Sequence, residues 1–369
     1  MGRVCASYLL SKAVVDSYFY ICSSARHIFL AMGLANGLPN IRHHLLVINQ
    51  KAVSPVVGTL LSRPEPFTTV EAFVVNGGGY KKLWGKKRSF ARLKELIDSL
   101  QPVRIFGGND RREEFQYAVS YAEKYTPQVV GAYLDDGTGS YVNGVYLRKW
   151  RAIVDLTADR LLKRVFYGPW YDKQRLLGGT RWVKECYLNF PDLAPEELKS
   201  RKDIFPLERE VFRADSLRRL LESLVDAYRT PSDEDFSVAQ LYQEYDVFVV
   251  LPHSKAVARY FGGEKSYNEA LGKYLKGKGK VAVKYHPRES RFYFDCDASV
   301  TVFPASLPAE ILFSFVQSKC VVGDMSSALL SAAWLMPESR TICLCPRGLD
   351  ENPILSLVKR VPPVEIVYS

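Results

Sequence analysis

The chain has 369 residues, 47% hydrophobic and 24% charged, proportions of a globular protein that exclude general disorder. This length suits two domains better than one simple core. The formal net charge is +10, and the basic residues form several short clusters rather than one tail. Such a charge favours nucleic acid, an anionic membrane surface or an anionic substrate. Because no RNA-recognition or zinc-finger pattern accompanies the clusters, we predict no nucleic-acid partner.

The cysteines and the N-terminal sequence bear on the compartment. Seven cysteines occur at irregular positions without a Cys-x-x-Cys pair, a pattern typical of buried thiols in a reducing cytoplasm. Lys12, Asp16, Arg26 and His27 interrupt the apolar run that a signal peptide or membrane span would need. We expect a cytoplasmic protein whose basic charge favours peripheral association with an anionic membrane surface.

The first half of the chain alternates strand-like and helix-like segments. Helical spacing of apolar residues runs over 89–100 and 111–125. Short apolar strands separated by helices predict a parallel sheet covered on both faces. The predicted strands are 18–22, 44–48, 70–75, 103–106 and 129–134.

The second half repeats this alternation after a more helical stretch at about 156–245, which contains a linker candidate at 230–235. Helices are predicted over 266–275, 309–317 and 326–335. We predict an α/β protein of the GT-B type, with two Rossmann-like domains whose parallel sheets face each other across a cleft. The predicted units are an N-terminal acceptor-side domain (1–190), a helical linker region (191–240) and a C-terminal donor-binding domain (241–369). The predicted strands of the last unit are 247–251, 281–284, 300–303, 320–322 and 341–344.

Two acids and a glycine follow the last predicted strand of the first domain. Asp135, Asp136 and Gly137 would lie at the carboxyl edge of the sheet, where open α/β folds carry catalytic groups. Adjacent carboxylates raise the pKa of at least one of them, which suits a general base. The alternative is an ordinary Asp-Gly turn. The sequence does not decide which acid is the base; we slightly favour Asp135.

Three further motifs follow strands of the second domain. Lys284 and His286 share one face of a strand end that Pro287 terminates, an arrangement suited to binding an anion. Ser326 and Ser327 open a helix, where free N–H groups and hydroxyls favour phosphate, although plain N-capping gives the same pattern. Glu310 opens another helix and is placed to accept hydrogen bonds from a ribose.

These motifs and their order resemble those of bacterial GT-B sialyltransferases, namely lipooligosaccharide sialyltransferases and capsular polysialyltransferases. Those families share an acidic-acidic-glycine motif, a His-Pro motif and paired Ser or Thr. The resemblance implies a general base in Asp135-Asp136-Gly137 and a donor-phosphate contact at His286-Pro287. It further implies cytidine and ribose contacts at Lys284 and Glu310, and phosphate contacts at Ser326-Ser327.

The resemblance also implies inverting transfer of a nonulosonic acid from a CMP-sugar to a glycan or glycolipid acceptor, without metal or other cofactor. The letters Asp-x-Asp at 233–235 and 295–297 are interpreted as surface residues. The expected location is the cytoplasm or the cytoplasmic face of the anionic inner membrane. Transfer of Kdo, pseudaminic acid or legionaminic acid is the nearest alternative. A non-catalytic polyanion- or nucleotide-binding protein is the alternative from another class.

Overall fold

Residues 16–49, 54–74, 80–142, 149–230, 233, 236–289, 293–294, 299–349 and 351–368 are described by the computed structural model. The first domain is built on seven parallel strands in the order β3-β2-β1-β4-β5-β6-β7. The order in which successive strands are added to the sheet therefore reverses between β1 and β4, and a ligand site is expected beyond the carboxyl ends of these strands. The strands are β1 (Ser17–Cys22), β2 (Arg42–Asn49), β3 (Thr69–Val74), β4 (Arg104–Gly107), β5 (Val130–Leu134), β6 (Glu185–Leu188) and β7 (Asp203–Pro206).

Nine helices accompany this sheet among the described residues. The helix α1 directly follows β1 and is capped by the Ser24 hydroxyl, which accepts a hydrogen bond from the His27 N–H. The helices are α1 (Ala25–Gly37), α2 (Ser54–Ser62), α3 (Tyr80–Leu100), α4 (Glu113–Ala122), α5 (Thr138–Tyr141), α6 (Lys149–Tyr167), α7 (Glu196–Lys199), α8 (Arg209–Arg213) and α9 (Asp215–Val225).

The second domain has six parallel strands in the order β10-β9-β8-β11-β12-β13, so its reversal point lies between β8 and β11. The strands are β8 (Glu244–Val250), β9 (Lys280–Lys284), β10 (Ser299–Phe303), β11 (Gln317–Gly323), β12 (Arg340–Cys345) and β13 (Val364–Tyr368). The helices are α10 (Ser254–Phe261), α11 (Glu264–Leu275), α12 (Ala309–Phe315), α13 (Ser327–Leu335) and α14 (Pro353–Val358).

The two parallel sheets confirm the α/β prediction, and every strand predicted from apolar runs is present. Strands β6, β7 and β13 were not predicted from the sequence. Strand β7 lies within 191–240 and pairs with β6, so this region contributes to the first sheet and is not helical throughout. Of the linker candidate, only 230 and 233 are described, and 295–297 lies outside the described residues. No helix in the described ranges is both long and apolar enough to span a bilayer.

One continuous cluster of buried apolar residues joins both domains. Phe212 on α8 packs against Phe29 of α1 and Trp334 of α13, with ring centroids 5.3 and 4.9 Å apart. Gly33 makes room for this ring, because a Cβ atom there would lie 2.1 Å from the Phe212 ring. The helices α8 and α9 thus connect the two domains by apolar packing and not only by the chain.

Candidate functional site

The first acid after β5, Asp135, is fully buried and fully hydrogen-bonded. Its Oδ1 accepts from the Gly137 N–H at 2.6 Å and pairs with Arg26 Nη2 at 2.8 Å. Its Oδ2 accepts from the Asn189 N–H at 3.1 Å and from the Tyr141 hydroxyl. Four donors stabilise this carboxylate, so it holds the loop together and is inaccessible to an acceptor sugar.

The second acid, Asp136, has a different environment. Its side chain is 31% exposed, and its Oδ1 lies 2.9 Å from Nε2 of the buried His27. An ionised carboxylate only accepts, so the imidazole donates from Nε2 and orients the Asp136 side chain. The Asp136 N–H donates to the Ser140 hydroxyl at 2.8 Å. Of the two acids, Asp136 is therefore the one that a substrate hydroxyl can reach.

Gly137 brings the acidic loop against the second domain. Its φ of +71° is a conformation that favours glycine, and a Cβ atom there would lie 2.6 Å from Ser327 Oγ. The next residue, Thr138, donates its N–H to the same Ser327 hydroxyl at 3.2 Å. The acidic motif and the paired-serine motif therefore meet directly across the domain boundary.

Arg26, in the first turn of α1, connects the acidic motif with Glu310 and with Ser331 of α13. Its Nη1 pairs with Glu310 Oε1 at 2.8 Å and donates to the Ser331 hydroxyl at 2.7 Å, while Nη2 and Nε bind Asp135. Burial acts to lower the pKa of the guanidinium, but Asp135 and Glu310 raise it above its usual value. Arg26 is thus a buried cation that holds one carboxylate from each domain. Sequence reasoning missed this role.

The His-Pro motif lies just beyond β9. His286 Nδ1 accepts a hydrogen bond from the Arg288 N–H at 3.1 Å, which places the proton of the neutral ring on Nε2. Burial first, and then the neighbouring His253 and Lys284, lower the pKa of His286 to about 4. The ring is therefore neutral near pH 7 and offers one N–H donor.

Lys284 is buried at the end of β9. Its ammonium donates to the carbonyl oxygens of Tyr285 at 2.9 Å and Ala305 at 2.8 Å, which ties the ends of β9 and β10 together. Burial lowers the pKa of Lys284 to about 7, although Glu310 opposes this shift. A lysine in this state gains a full charge when an anion binds beside it.

His253 is a second imidazole that the sequence argument did not identify. It follows β8, the strand paired with β9 in a register that places Val250 opposite Lys284. Its Nδ1 accepts from the Lys255 N–H at 3.1 Å, so its ring also carries a proton on Nε2 when neutral. The His253 and His286 ring centroids lie 5.5 Å apart. The sequence signal was a histidine shortly after an apolar strand, as for His286.

The paired serines begin α13 beyond β11. Ser326 caps the helix by accepting from the Leu329 N–H at 3.4 Å, and Ser327 binds the acidic loop. Asp324, just before them, has a buried Oδ1 without a hydrogen-bond partner among the described residues. Burial raises the pKa of Asp324 to about 6, against a hydrogen bond from Ser326 that lowers it.

A cavity of about 530 Å³ gathers most of these groups at the carboxyl edge of the second sheet. All six residues predicted to bind the donor or its phosphate line it, whereas neither Asp135 nor Asp136 does. Its charged and polar lining includes Arg26, His253, Lys284, His286, Glu310, Asp324, Ser326 and Ser327, and Pro287 also lines it. Of the two acids in this lining, Glu310 is paired with Arg26, and burial favours the neutral form of Asp324. The remaining basic groups and hydroxyls suit an anionic small molecule.

Comparisons with known proteins support both the fold and the family. The Neisseria meningitidis UDP-GlcNAc 2-epimerase bound to UDP-GlcNAc superposes with a TM-score of 0.51 at 12% identity, over 96% of this chain and 88% of the other. The Arabidopsis thaliana UGT89C1 complexed with UDP-L-rhamnose gives 0.50 at 12% identity, over 96% and 85%. Curated protein sequences gave no match. These similarities confirm the GT-B fold.

The sequence model of alpha-2,8-polysialyltransferase (POLYST) matches residues 86–345, which is most of the chain and includes the acidic, His-Pro and paired-serine motifs. The match agrees with the predicted resemblance to polysialyltransferases. The chain therefore belongs to the alpha-2,8-polysialyltransferase family and is a glycosyltransferase.

Proposed function

We propose that this protein transfers a nonulosonic acid of the sialic acid type from a CMP-activated donor to a glycan acceptor, with inversion and without a metal ion. The observation that carries the proposal is the cavity at the edge of the second sheet, where His286, Lys284 and the first turn of α13 surround a space that fits an anion. The family match supports sialic acid transfer in the broader sense.

The donor phosphate would bind between the two histidines and the start of α13. In both His286 and His253, Nδ1 accepts a hydrogen bond from a backbone N–H, so the ring proton is on Nε2 and can be donated to a phosphate. The free N–H groups of α13 add donors, and the Ser326 hydroxyl would add one by exchanging its hydrogen bond to Asp324 for one to the phosphate. These groups, with Lys284, supply the charge stabilisation that a divalent cation provides in other transferases.

The ribose would lie near Glu310. Its Oε1 is held by Arg26 and by the Ser331 hydroxyl at 3.0 Å, so the carboxylate has a fixed orientation. A fixed carboxylate at a cavity wall accepts hydrogen bonds from a vicinal diol. Lys284 and Pro287 would then contact the base or the nucleoside from the strand ends beside it.

Asp136 is the better candidate for the general base, in place of the Asp135 favoured by the sequence argument. Asp135 is enclosed by four donors, whereas Asp136 is accessible and oriented by His27. In the proposed step, Asp136 takes the proton of an acceptor hydroxyl as its oxygen attacks the anomeric carbon. The bond from that carbon to the phosphate oxygen breaks, and CMP leaves with the electron pair while His286 donates a hydrogen bond to it.

The acceptor side and the cellular location belong to the same proposal. A glycan or glycolipid acceptor would approach from the acidic loop of the first domain. We propose that the protein works as a peripheral protein on an anionic membrane surface, which its net charge of +10 supports.

A donor screen tests the proposal. We expect CMP to raise the melting temperature in EDTA, and UDP and GDP to have no comparable effect. Hydrolysis of CMP-sialic acid, CMP-Kdo and CMP-pseudaminic acid without acceptor then identifies the sugar. Selective stabilisation by UDP, or turnover that requires Mn²⁺, would contradict the proposal.

A further inference from the structure

The helix α6 exposes apolar side chains to solvent, whereas an ordinary surface helix buries them. Leu161, Leu162, Val165 and Phe166 are 66, 58, 78 and 46% exposed, respectively. Their spacing puts them on one side of the helix, and we refer to these four residues as the α6 face. In α9, by contrast, Leu217, Leu221 and Leu224 are buried. An apolar patch of this kind marks a surface that contacts something other than water.

The charged side of α6 is the side that attaches it to the protein. Lys163 Nζ lies 2.8 Å from Glu113 Oε1, and Arg160 Nη2 lies 3.1 Å from Asp172 Oδ1. Arg164 Nε donates to the Tyr171 carbonyl at 2.9 Å. Because these ion pairs and hydrogen bonds fix the helix by its basic residues, the α6 face is held outward.

The stretch that follows α6 has an excess of basic residues. Residues 160–184 contain seven basic residues and one acid, Asp172, whereas α6 itself also carries Asp155 and Asp159. Arg160, Lys163 and Lys184 pair with acids, and the exposed Arg175 and Arg181 supply basic charge at the surface. Arg181 stacks on Trp182 at 4.4 Å, and the Trp182 indole donates to the Trp170 carbonyl at 2.8 Å. Exposed apolar side chains on one side of a helix, with cationic groups nearby, are typical of helices that lie in a lipid interface.

Other occupants fit this surface less well. In a symmetric dimer through the α6 face, the basic surroundings of one copy would oppose those of the other. A hydrophilic polyanion would satisfy the charge but would leave the apolar side chains in water. We infer that the α6 face docks on a membrane containing anionic lipids, with its apolar side chains inserted among the acyl chains and the neighbouring basic residues at the headgroups. The inference deepens the peripheral association proposed above.

Vesicle co-sedimentation of the full chain tests this inference. We expect binding to phosphatidylcholine vesicles with 30 mol% phosphatidylglycerol (roughly the anionic charge at which basic proteins bind), weaker binding to pure phosphatidylcholine, and a decrease as salt rises. The double variant Leu161→Ser/Val165→Ser should lower the partition coefficient at least about tenfold. Leu61→Ser on α2, also an exposed leucine, is the matched control and should bind as the wild type does.

Several outcomes would overturn the inference: no binding of the wild type to anionic vesicles at low salt, equal loss in Leu61→Ser, or full binding by the double variant. A dimer that dissociates in the double variant would assign the α6 face to a second copy. Binding of dextran sulfate, instead of vesicles, that depends on Leu161 and Val165 would assign it to a polyanion. The response to CMP is measured on the same variants and should not change. Vesicle binding without any response to CMP would contradict the proposed donor and leave the membrane inference intact.

Discussion

The carboxyl edges of both sheets carry ionisable groups, but the environments of these groups differ. At the first edge, Asp135 and Arg26 form a buried ion pair, and Asp136 has an imidazole partner. At the second edge, Lys284, His286 and Asp324 have pKa values shifted by burial toward their neutral forms. The charged groups of the first edge are paired without a ligand, whereas burial shifts the pKa values of Lys284, His286 and Asp324 at the second edge.

This difference indicates a division of labour. A carboxylate with a fixed partner is prepared to take a proton, and needs little rearrangement during the reaction. Lys284, whose pKa of about 7 leaves it half-charged near neutrality, would become more fully charged on binding the proposed donor phosphate, because an anion raises the pKa of a cationic group. Under the proposed function, the second edge would therefore gain favourable electrostatics when the donor binds. The following variants test this contrast, beginning with the largest expected effect.

Asp136→Asn should reduce turnover by on the order of a thousandfold, the usual size of a lost general base. CMP binding should persist, since Asp136 does not line the donor cavity. Initial rates with saturating donor, and CMP titration by calorimetry, measure the two effects. Asp135→Asn is the matched control and should chiefly lower the melting temperature. If Asp136→Asn keeps wild-type turnover, the assignment of the base is wrong.

Arg26→Met should destabilise the protein by about 3–5 kcal/mol, because Asp135 and Glu310 would remain buried without their cation. Urea denaturation measures this change in the free energy of unfolding. Adding Asp135→Asn to Arg26→Met should restore part of the stability by removing one uncompensated charge. A loss below about 1 kcal/mol, as for an exposed ion pair, would show that Arg26 is not the connection between the two edges.

His286→Asn should lower turnover about a hundredfold, the effect of losing one charge-stabilising donor. Asparagine still accepts from the Arg288 N–H but lacks the Nε2 proton. The same change at His253 keeps the N-cap of α10 and should weaken CMP binding about tenfold, with binding of cytidine unchanged. Equal losses for CMP and cytidine would indicate a structural effect of His253 instead of a phosphate contact.

Asp324→Asn should alter the pH dependence of stability by about 2 kcal/mol. Burial raises the pKa of Asp324 to about 6 in the folded protein, above its value in the unfolded chain. Its contribution is therefore fully present below about pH 4 and is lost as the pH rises through 6. The variant should be more stable than the wild type at pH 8 and similar to it at pH 4.5. Parallel stability curves over this range would contradict the prediction.

Sequence reasoning located the parts of the site that follow strands. The end of an apolar run marks the end of a strand, and in a parallel sheet the residues that come directly after it lie at the carboxyl edge. Lys284, His286 and the paired serines were found in this way. Arg26 also follows a strand, but an arginine in the first turn opposes the helix dipole and gave no sign of a ligand role. Its partners are 109 and 284 residues away, and no local pattern encodes such a distance.

Choosing between the two acids required knowing how deeply each is buried, and the sequence Asp-Asp-Gly does not show this. Strands β6, β7 and β13 were missed because none carries a long buried apolar run. Strands β6 and β7 have four residues each, β7 is mostly exposed, and no residue of β13 is fully buried. The face that α6 presents to solvent could not be predicted either. Its orientation depends on Glu113 and Asp172, acids from other parts of the chain.

The apolar core shared by the domains has a consequence for how the protein unfolds. Phe212 fills a space between α1 and α13, so separating the domains would expose its ring and the surfaces that contain it. A wide separation of the two domains would therefore be costly. For the same reason the two halves should melt together, in a single calorimetric transition, and neither half should fold when expressed alone.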